Sequence, residues 1–335
     1  NTIHPGVPGN YSYWTKSSGI RSHSFTPQQL RSHVWIGSAA QVCCERGRVI
    51  VHTFGQTPDF DDRPETSVLQ KRGYTQFVYT PLHSNYTFTI SVAAYGTTRE
   101  GGFSDEEVHT FRLLQSPLAR VVEGMVLYDG TVQILSTYVG RDAGSRVLGG
   151  NILRGDTEAI PAVVLFADLC DFTSLSNHRP AGEVIGLLNK FFDAAGAAIT
   201  NSGGEILKFM GDGLLAIFPT PDDINAQLAA ATNAVAAIEE MRTELERQPD
   251  PDISFRAALD VGDIYYGNIG SSSRLDFTAI GPTVNRAARL LGMAEPLAAS
   301  VVCSATLHKL LPGRTISLGM HSFKGFDETQ EVYKI

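Results

Sequence analysis

The spacing of apolar residues changes twice along the chain and divides it into three regions. Up to about residue 102, short apolar runs bounded by turn residues predict strands, for example at residues 48–53 and 77–80. In the next region apolar residues recur every three or four positions, as in a long helix. From residue 162 onward, strand-length apolar runs alternate with longer amphipathic segments. This last pattern predicts an α+β domain.

The first region ends in a pattern that opens a helix. A strand is predicted at residues 86–95 after a turn at residues 83–85, and Ser104 and Glu107 then form a capping box directly after a Gly-Gly break. This end of the region, with its GGFSDEE turn, resembles a GAF-like sensor module. The alternative is a structural or dimerising domain without a ligand.

The second region carries a heptad pattern. Its apolar positions are Phe111, Leu114, Leu118, Val121, Met125, Tyr128, Val132, Leu135 and Val139. This seam predicts a left-handed coiled coil between two chains; packing of the same stripe on its own domain is the alternative. Pro117, Gly124 and Gly130 disfavour an uninterrupted helix. The glycine-rich residues 137–156 are expected to form a connector between the domains.

The third region predicts a sheet with helices on one face. Helices are predicted at residues 181–200, at residues 223–246 and from Pro282 onward, with a strand at residues 253–259. A Gly-Asp-Gly turn at residues 211–213 separates two apolar runs. Such a turn is a strong signal for a β-hairpin.

Composition excludes several classes of protein. The chain has 335 residues, of which 43% are hydrophobic and 19% charged, so it can bury a large core, and two domains are expected. The net charge of -8 argues against nonspecific binding to nucleic acid or anionic membranes. The four cysteines form neither a disulfide framework nor a zinc pattern, so a cytoplasmic location is expected. No membrane span or signal peptide is recognisable, and the start at Asn1 leaves an upstream segment open.

Two acidic residues stand where apolar strands end. Asp168 follows the apolar run at residues 163–166, and Asp212 lies in the hairpin turn. If the first strand pairs beside the hairpin, both carboxylates meet at one end of the sheet, where they would suit a hard divalent ion such as Mg²⁺. The following loop leads into a helix whose backbone N–H groups could hold a phosphate. The alternatives are that Asp168 caps this helix and that Asp212 is an ordinary turn residue.

Three separated motifs then indicate one family. They are FADLCDFT at residues 166–173, KFMGD at residues 208–212 and FTAIGPTVNRAAR at residues 277–289. Together they resemble the catalytic domain of the class III nucleotidyl cyclases. The resemblance implies a ferredoxin-like α+β domain with a βαββαβ core at residues 161–335. It would be preceded by a mixed α/β GAF-like domain at residues 1–105 and by a coiled-coil helix and connector at residues 106–160.

The family assigns one set of residues to the metal side of the nucleotide. The resemblance implies that two Mg²⁺ or Mn²⁺ ions are held by Asp168, Asp212 and the backbone carbonyl of Leu169. Phe172 and Thr173 fall in the loop that binds the substrate phosphates. These five residues are the expected metal and phosphate half of an active site.

The family assigns a second set to the base, the ribose and the transition state. The resemblance implies that Lys208 and Thr278 select the purine, that Asn285 orients the ribose and that Arg289 stabilises the transition state. Lys324 aligns with a lysine that binds the terminal phosphates. From the residues alone, the alternatives are an edge-strand lysine for Lys208 and a surface arginine for Arg289.

These roles define a reaction and an assembly. The chain is expected to convert ATP to 3′,5′-cyclic AMP and pyrophosphate by in-line attack of the ribose 3′-hydroxyl on the α-phosphate. A cationic donor suits the unprotonated N1 of adenine, whereas guanine carries a hydrogen there. Because one chain holds both sets of residues, a homodimer with shared sites is expected, regulated through the N-terminal domain by an unidentified signal. The alternatives are a guanylate cyclase and a catalytically impaired nucleotide-binding regulatory protein.

Two positions depart from the family pattern. Thr278 stands where aspartate is common, and the threonine variant resembles a branch that often responds to bicarbonate, so activation by bicarbonate is a hypothesis. Asp171 stands where glycine is usual. A third carboxylate beside the triphosphate is expected to make the activity higher with Mn²⁺ than with Mg²⁺.

Overall fold

A computed structural model describes residues 9–15, 19–25, 35–83, 91–247 and 253–335. The chain divides into two compact units, Asn1–Thr131 and Val132–Ile335. The boundary between them falls within the predicted helical connector. Among the described residues, no helix combines the length and the apolar character needed to cross a bilayer.

The first unit contains small antiparallel sheets and short helices. Strands β1 (Gly9–Thr15) and β2 (Gly19–Phe25) form a pair, and β3 (Ile50–Thr53), β4 (Gln76–Leu82) and β5 (Ser91–Thr97) form a three-stranded sheet in that order. The helices are α1 (Ala39–Arg46), α2 (Pro58–Asp61) and α3 (Pro64–Lys71). Strands were predicted at residues 48–53 and 77–80, and β3 and β4 lie there. The turn was predicted at residues 83–85, of which residues 84 and 85 lie outside the described residues.

Helix α4 (Asp105–Val139) begins with the predicted capping box. The backbone N–H of Ser104 donates to the Glu107 carboxylate at 2.7 Å, and the backbone N–H of Glu107 donates to Ser104 Oγ at 3.2 Å. The helix continues through Pro117, so the interruption predicted there is wrong. Three seam residues are largely exposed in the single chain, namely Val121 (60%), Met125 (61%) and Tyr128 (62%).

The glycine-rich connector contains a second helix, α5 (Arg141–Leu148), which the sequence did not predict. Gly140 has a φ of 94°, a conformation that glycine adopts easily, and it separates α5 from α4. A Glu205 carboxylate oxygen then accepts the backbone N–H of Asp142 at 2.8 Å. Ala143 is fully buried in the core of the second unit. Helix α5 is therefore stabilised by core packing and by a cap from Glu205, and the glycine-rich composition of the segment gave no sign of it.

The second unit is built on one eight-stranded sheet. Its strand order is β12-β13-β11-β9-β6-β8-β7, and β10 also pairs with β9. All neighbours are antiparallel except β9 and β11. The strands are β6 (Thr157–Leu169), β7 (Glu205–Met210), β8 (Gly213–Pro219), β9 (Phe255–Gly270), β10 (Leu275–Ile280), β11 (Val301–Ser304), β12 (Ile316–His321) and β13 (Gln330–Lys334). The β7–β8 pair is the hairpin predicted from the Gly-Asp-Gly turn.

Helices cover both faces of this sheet, so the prediction of helices on one face is wrong. They are α6 (Phe172–His178), α7 (Ala181–Asn201), α8 (Ile224–Arg247), α9 (Pro282–Ala294) and α10 (Ala305–Leu310). Val163 and Leu165 of β6 join a core with α7 and α8. Val164 and Phe166 point to the other face and join a core with α5 and α9. Both sets of β6 side chains are apolar, so both faces must be covered.

Candidate active site

Asp168 lies at the end of β6, between the β7–β8 hairpin and β9. In the strand register it stands opposite Gly213 of β8 and Arg256 of β9. The backbone N–H of Leu169 donates to the backbone oxygen of Asp212 at 3.3 Å, which joins the end of β6 to the hairpin turn. The strand end and the turn thus come together as the sequence predicted.

Asp168 is poorly satisfied within the protein. Its Oδ1 atom is buried and has no hydrogen-bond partner among the described residues. Burial raises the pKa of the Asp168 carboxyl, Arg256 opposes this rise, and the nearby charge of Asp212 adds to it. Helix α6 begins directly after Asp171, so Asp168 is not its cap. A buried carboxylate oxygen that lacks a hydrogen bond, beside a second carboxylate, is an arrangement that a divalent cation would satisfy.

Arg256 belongs to this group, and the sequence analysis missed it. Its Nε lies 3.4 Å from Asp168 Oδ1, close enough for an ion pair but without a hydrogen bond. The same guanidinium forms an ion pair with Glu295, directly after α9. A cleft of about 300 Å³ lies beside it, and Cys170 and Asp171 are among its lining residues. A charged residue inside the apolar strand β9 was the signal that could have revealed it.

The loop after Asp168 bends in an unusual way. Asp171 has a φ of 54° and a ψ of 19°, the left-handed conformation that glycine adopts without strain. Its side chain is exposed and makes no capping bond to α6. Phe172 packs on the sheet core, whereas Thr173 is exposed. Helix α6 is only seven residues long, so it adds little to any phosphate site at its start.

Lys208 is not a free edge lysine. It lies on β7, the edge strand in the sheet order, and forms an ion pair with Asp276 of β10. Asp276 and Thr278 are two residues apart on one strand and therefore share a face. The structure thus places Lys208 next to the face of β10 that carries Thr278. Asp276 was not among the residues predicted for the site.

Asn285 and Arg289 lie one turn apart on α9, and both are exposed. Among the described residues, neither side chain has a recorded hydrogen bond or ion pair. Lys324 is also exposed, in the loop after β12. Its neighbour Phe323 is buried in the same cluster as Leu290 of α9, and this packing places Lys324 near that helix. The three predicted cations and donors of this half therefore point to solvent in the single chain.

Exposed apolar side chains surround the residues that were predicted to read the base. They include Phe209 (52%) and Met210 (41%) next to the hairpin turn, and Tyr265 (52%), Leu275 (37%) and Ile280 (48%) on β9 and β10. Burial of such side chains in an interface would be favourable by about 25 cal/mol for each Å² of apolar surface. The single chain leaves this face uncovered.

The fold and this arrangement of acids, donors and cations define a nucleotide cyclase catalytic domain. The sequence profile of the adenylate and guanylate cyclase catalytic domain matches residues 157–333, more than half of the chain. The chain therefore belongs to this family, and the class III cyclase catalytic domain predicted from the three motifs is confirmed. The match does not reach the first unit, where the GAF-like module stays a prediction.

Individual relatives are consistent with this membership. An uncharacterized protein of Mycobacterium tuberculosis is 31% identical over 193 residues, covering 57% of this chain and 33% of the relative. Adenylate cyclase 1 of Rhizobium meliloti is 31% identical over 180 residues, covering 51% and 27%. The chain thus matches about a third or less of these relatives. A bacterial light-regulated adenylyl cyclase of known structure has a TM-score of 0.55 at 24% identity, covering 66% of this chain and 64% of that one, which shows a shared fold.

Proposed function

We propose that this chain is an adenylate cyclase that converts ATP to 3′,5′-cyclic AMP and pyrophosphate. The observation that carries the proposal is the buried Oδ1 of Asp168, which has an ion pair with Arg256 but no hydrogen bond within the described residues, beside Asp212 at the sheet end where the family binds its substrate. Such a cluster costs folding free energy unless a ligand completes it. A nucleotide triphosphate with divalent cations has the charge and the oxygen ligands to do so.

Asp168, Asp212 and the carbonyl of Leu169 would hold the divalent ions. When bound, such ions lower the pKa of the ribose 3′-hydroxyl and neutralise the triphosphate. Arg256 would donate to the phosphate oxygens from the same side. Its Nε is buried without a hydrogen-bond partner, so a phosphate oxygen would satisfy it as well.

Lys208 supports ATP as the substrate. Its ammonium group is a donor, and the unprotonated N1 of adenine is an acceptor. The Asp276 carboxylate holds this lysine in place next to Thr278. The N1–H and carbonyl of guanine present the opposite pattern at this edge, which disfavours GTP.

The exposed half of the site supports a homodimer. Asn285, Arg289 and Lys324 are exposed in one chain, and an exposed apolar face surrounds Lys208. In a symmetric dimer, one chain would supply the acids and the other would supply these groups, giving two equivalent sites. Arg289 would then stabilise charge on the equatorial oxygens of the α-phosphate during attack.

The first unit would regulate this pairing through α4 and α5. The exposed seam on α4 suits a second copy of the same helix. Helix α5 joins α4 directly to Glu205, on the strand that carries Lys208. A change in the packing of the stalk would therefore alter the strand that reads the base.

Product formation by the purified chain tests the proposal. With ATP and Mn²⁺ or Mg²⁺ we expect cyclic AMP and pyrophosphate in equal amounts, and with GTP much less product. Asp212→Ala should remove the activity, whereas Asp222→Ala changes an exposed acid outside the site and should keep it. A folded wild-type dimer that binds ATP without turnover would instead support the impaired regulatory protein. Cyclic GMP as the main product would make it a guanylate cyclase.

A further inference from the structure

A partly buried ion pair joins helix α9 to strand β9, outside the groups considered so far. Asp260 of β9 is 0% exposed, and its Oδ2 accepts a hydrogen bond from Nε of Arg286 at 2.6 Å. Its Oδ1 accepts the backbone N–H of Val261 at 2.8 Å. Asp260 and Arg256 have the same parity on β9 as Ala258, which packs against α9. The carboxylate is therefore fixed in direction on the central strand.

The pair is costly as a source of stability alone. Burial raises the pKa of Asp260, and the neighbouring Arg286 guanidinium opposes the rise. Replacing a buried ion pair by apolar residues of similar size is often neutral or stabilising, whereas removing one partner is strongly destabilising. What the pair adds over apolar contacts is therefore direction, because an Arg–carboxylate hydrogen bond allows few orientations.

The orientation of α9 matters because this helix carries Asn285 and Arg289. Arg286 is flanked by Asn285 and lies three residues before Arg289, within a single helical turn. Val284 and Leu290 bury the helix by apolar contact, which permits small rotations. The N-terminal end has one polar anchor, where Thr283 Oγ1 donates to the backbone oxygen of Asp263 at 2.9 Å. Arg286 supplies the second anchor to the same strand, one turn further along.

We propose that the Asp260–Arg286 ion pair is a positioning element for catalysis, which sets the rotation of α9 and so aims Asn285 and Arg289 at the reacting nucleotide. This inference rests on the proposed cyclase function. Neither Asp260 nor Arg286 contacts the substrate; both act through the two residues that do. A displacement of about 1 Å at such groups costs about 100-fold in rate.

The test replaces both partners together, so that no buried charge is left alone. In Asp260→Asn/Arg286→Met, the amide still accepts from Val261 and the thioether replaces the arginine stem. The directed bond between residues 260 and 286 is lost, and the Thr283 bond to Asp263 remains. We expect a folded dimer whose kcat for ATP is lower by about 10- to 100-fold, with KM within about twofold of wild type. A kcat within about twofold of wild type in the folded variant overturns the proposal.

Arg286→Lys provides a second variant that keeps the charge while changing the geometry. We expect its kcat to lie between those of wild type and the double variant. If the double variant does not fold, this variant decides: a folded Arg286→Lys with wild-type kcat overturns the proposal, and a selective fall in kcat supports it. The matched control is Glu239→Gln/Arg314→Met, which removes an exposed ion pair on the opposite side of the sheet and should leave kcat unchanged.

The outcomes separate this inference from the proposed function. If the wild-type dimer forms no cyclic nucleotide, both fail. If wild type is active and Arg289→Ala is not, while the folded double variant turns over ATP at the wild-type rate, the cyclase function stands and only the positioning role fails.

Discussion

The acidic half of the site and the α9 half differ in how much of their surroundings one chain supplies. Asp168 lies between two neighbouring strands, beside a hairpin turn and Arg256, and its Oδ1 atom is buried without a hydrogen bond from the described residues. Asn285 and Arg289 are exposed on a helix whose underside is fixed by Asp260 and Arg286. In the proposed site, the first half is preformed within the chain. The second half is positioned within the chain but faces outward, and in the proposed dimer it would meet the substrate held by the other chain.

Loss of the preformed half should have the largest effect. Asp212→Ala removes one of two carboxylates from the cluster, and we expect cyclic AMP formation to fall by on the order of 1,000-fold or more. A chelator should produce the same loss in wild type, reversed by added Mn²⁺. Thermal unfolding of the variant monitors its fold. Activity above about a tenth of wild type would mean that Asp212 is an ordinary turn residue.

Loss of the outward half should be nearly as severe but different in kind. Arg289→Ala should lower kcat by about 100- to 1,000-fold with little change in KM, because the guanidinium acts on the charge of the transition state. Steady-state kinetics with ATP measures both constants. A rise in KM at unchanged kcat would instead assign Arg289 to uniform binding of the substrate.

Arg256 tests whether the preformed half also binds phosphate. Arg256→Met should lower kcat/KM for ATP by about 100-fold, since it removes a charged donor that is held beside Asp168. Arg242→Met changes an exposed arginine on α8 and serves as the control. Equal activity of the two variants would restrict Arg256 to a structural ion pair with Asp168 and Glu295.

Asp276 tests the base-reading part at the border between the halves. Asp276→Ala leaves Lys208 without its partner, and the preference for ATP over GTP should fall by about 10-fold. Asp263→Ala, an exposed acid on β9, provides the comparison. The ratio of kcat/KM values for the two nucleotides is the measurement. An unchanged ratio would show that Lys208 is held without Asp276.

Asp171 should give the smallest effect. Asp171→Gly relieves a left-handed backbone and should raise the free energy of unfolding by about 1 kcal/mol or less, while Asp171→Ala keeps the strain and should not. Both variants remove the third carboxylate and should lower the ratio of Mn²⁺ to Mg²⁺ activity. A ratio unchanged in both would separate this residue from metal preference.

Local signals carried most of the fold that was predicted. The capping box at Ser104, the hairpin turn at Asp212 and the start of α9 at Pro282 each depend on a few neighbouring residues, and all three were confirmed. Helix α5 was missed because its glycines resemble a linker. Its stability comes from a hydrogen bond to Glu205 and from the core residues that bury Ala143, all of which are distant in sequence.

The strand ends and the hairpin turn predicted that Asp168 and Asp212 meet, and family motifs supplied the other predicted site residues. Arg256, Asp276 and the Asp260–Arg286 pair act through partners on other strands or helices. Their pairing depends on strand register and on which sheet face α9 covers, and neither can be read from one chain's apolar pattern. The charged residues within apolar strands could be recognised in the sequence, but their partners could not be identified without the strand register.

If each site is shared between two chains, two inactive variants with different missing halves should restore activity when they are mixed. Asp168→Ala lacks the acidic half and Arg289→Ala lacks the α9 half, so a mixed dimer holds one intact site. After mixing at equal concentration and full exchange, the account predicts about a quarter of wild-type activity, because half of the dimers are mixed and each has one working site of two. Mixed dimers that are demonstrably present, yet form no cyclic AMP, would contradict it.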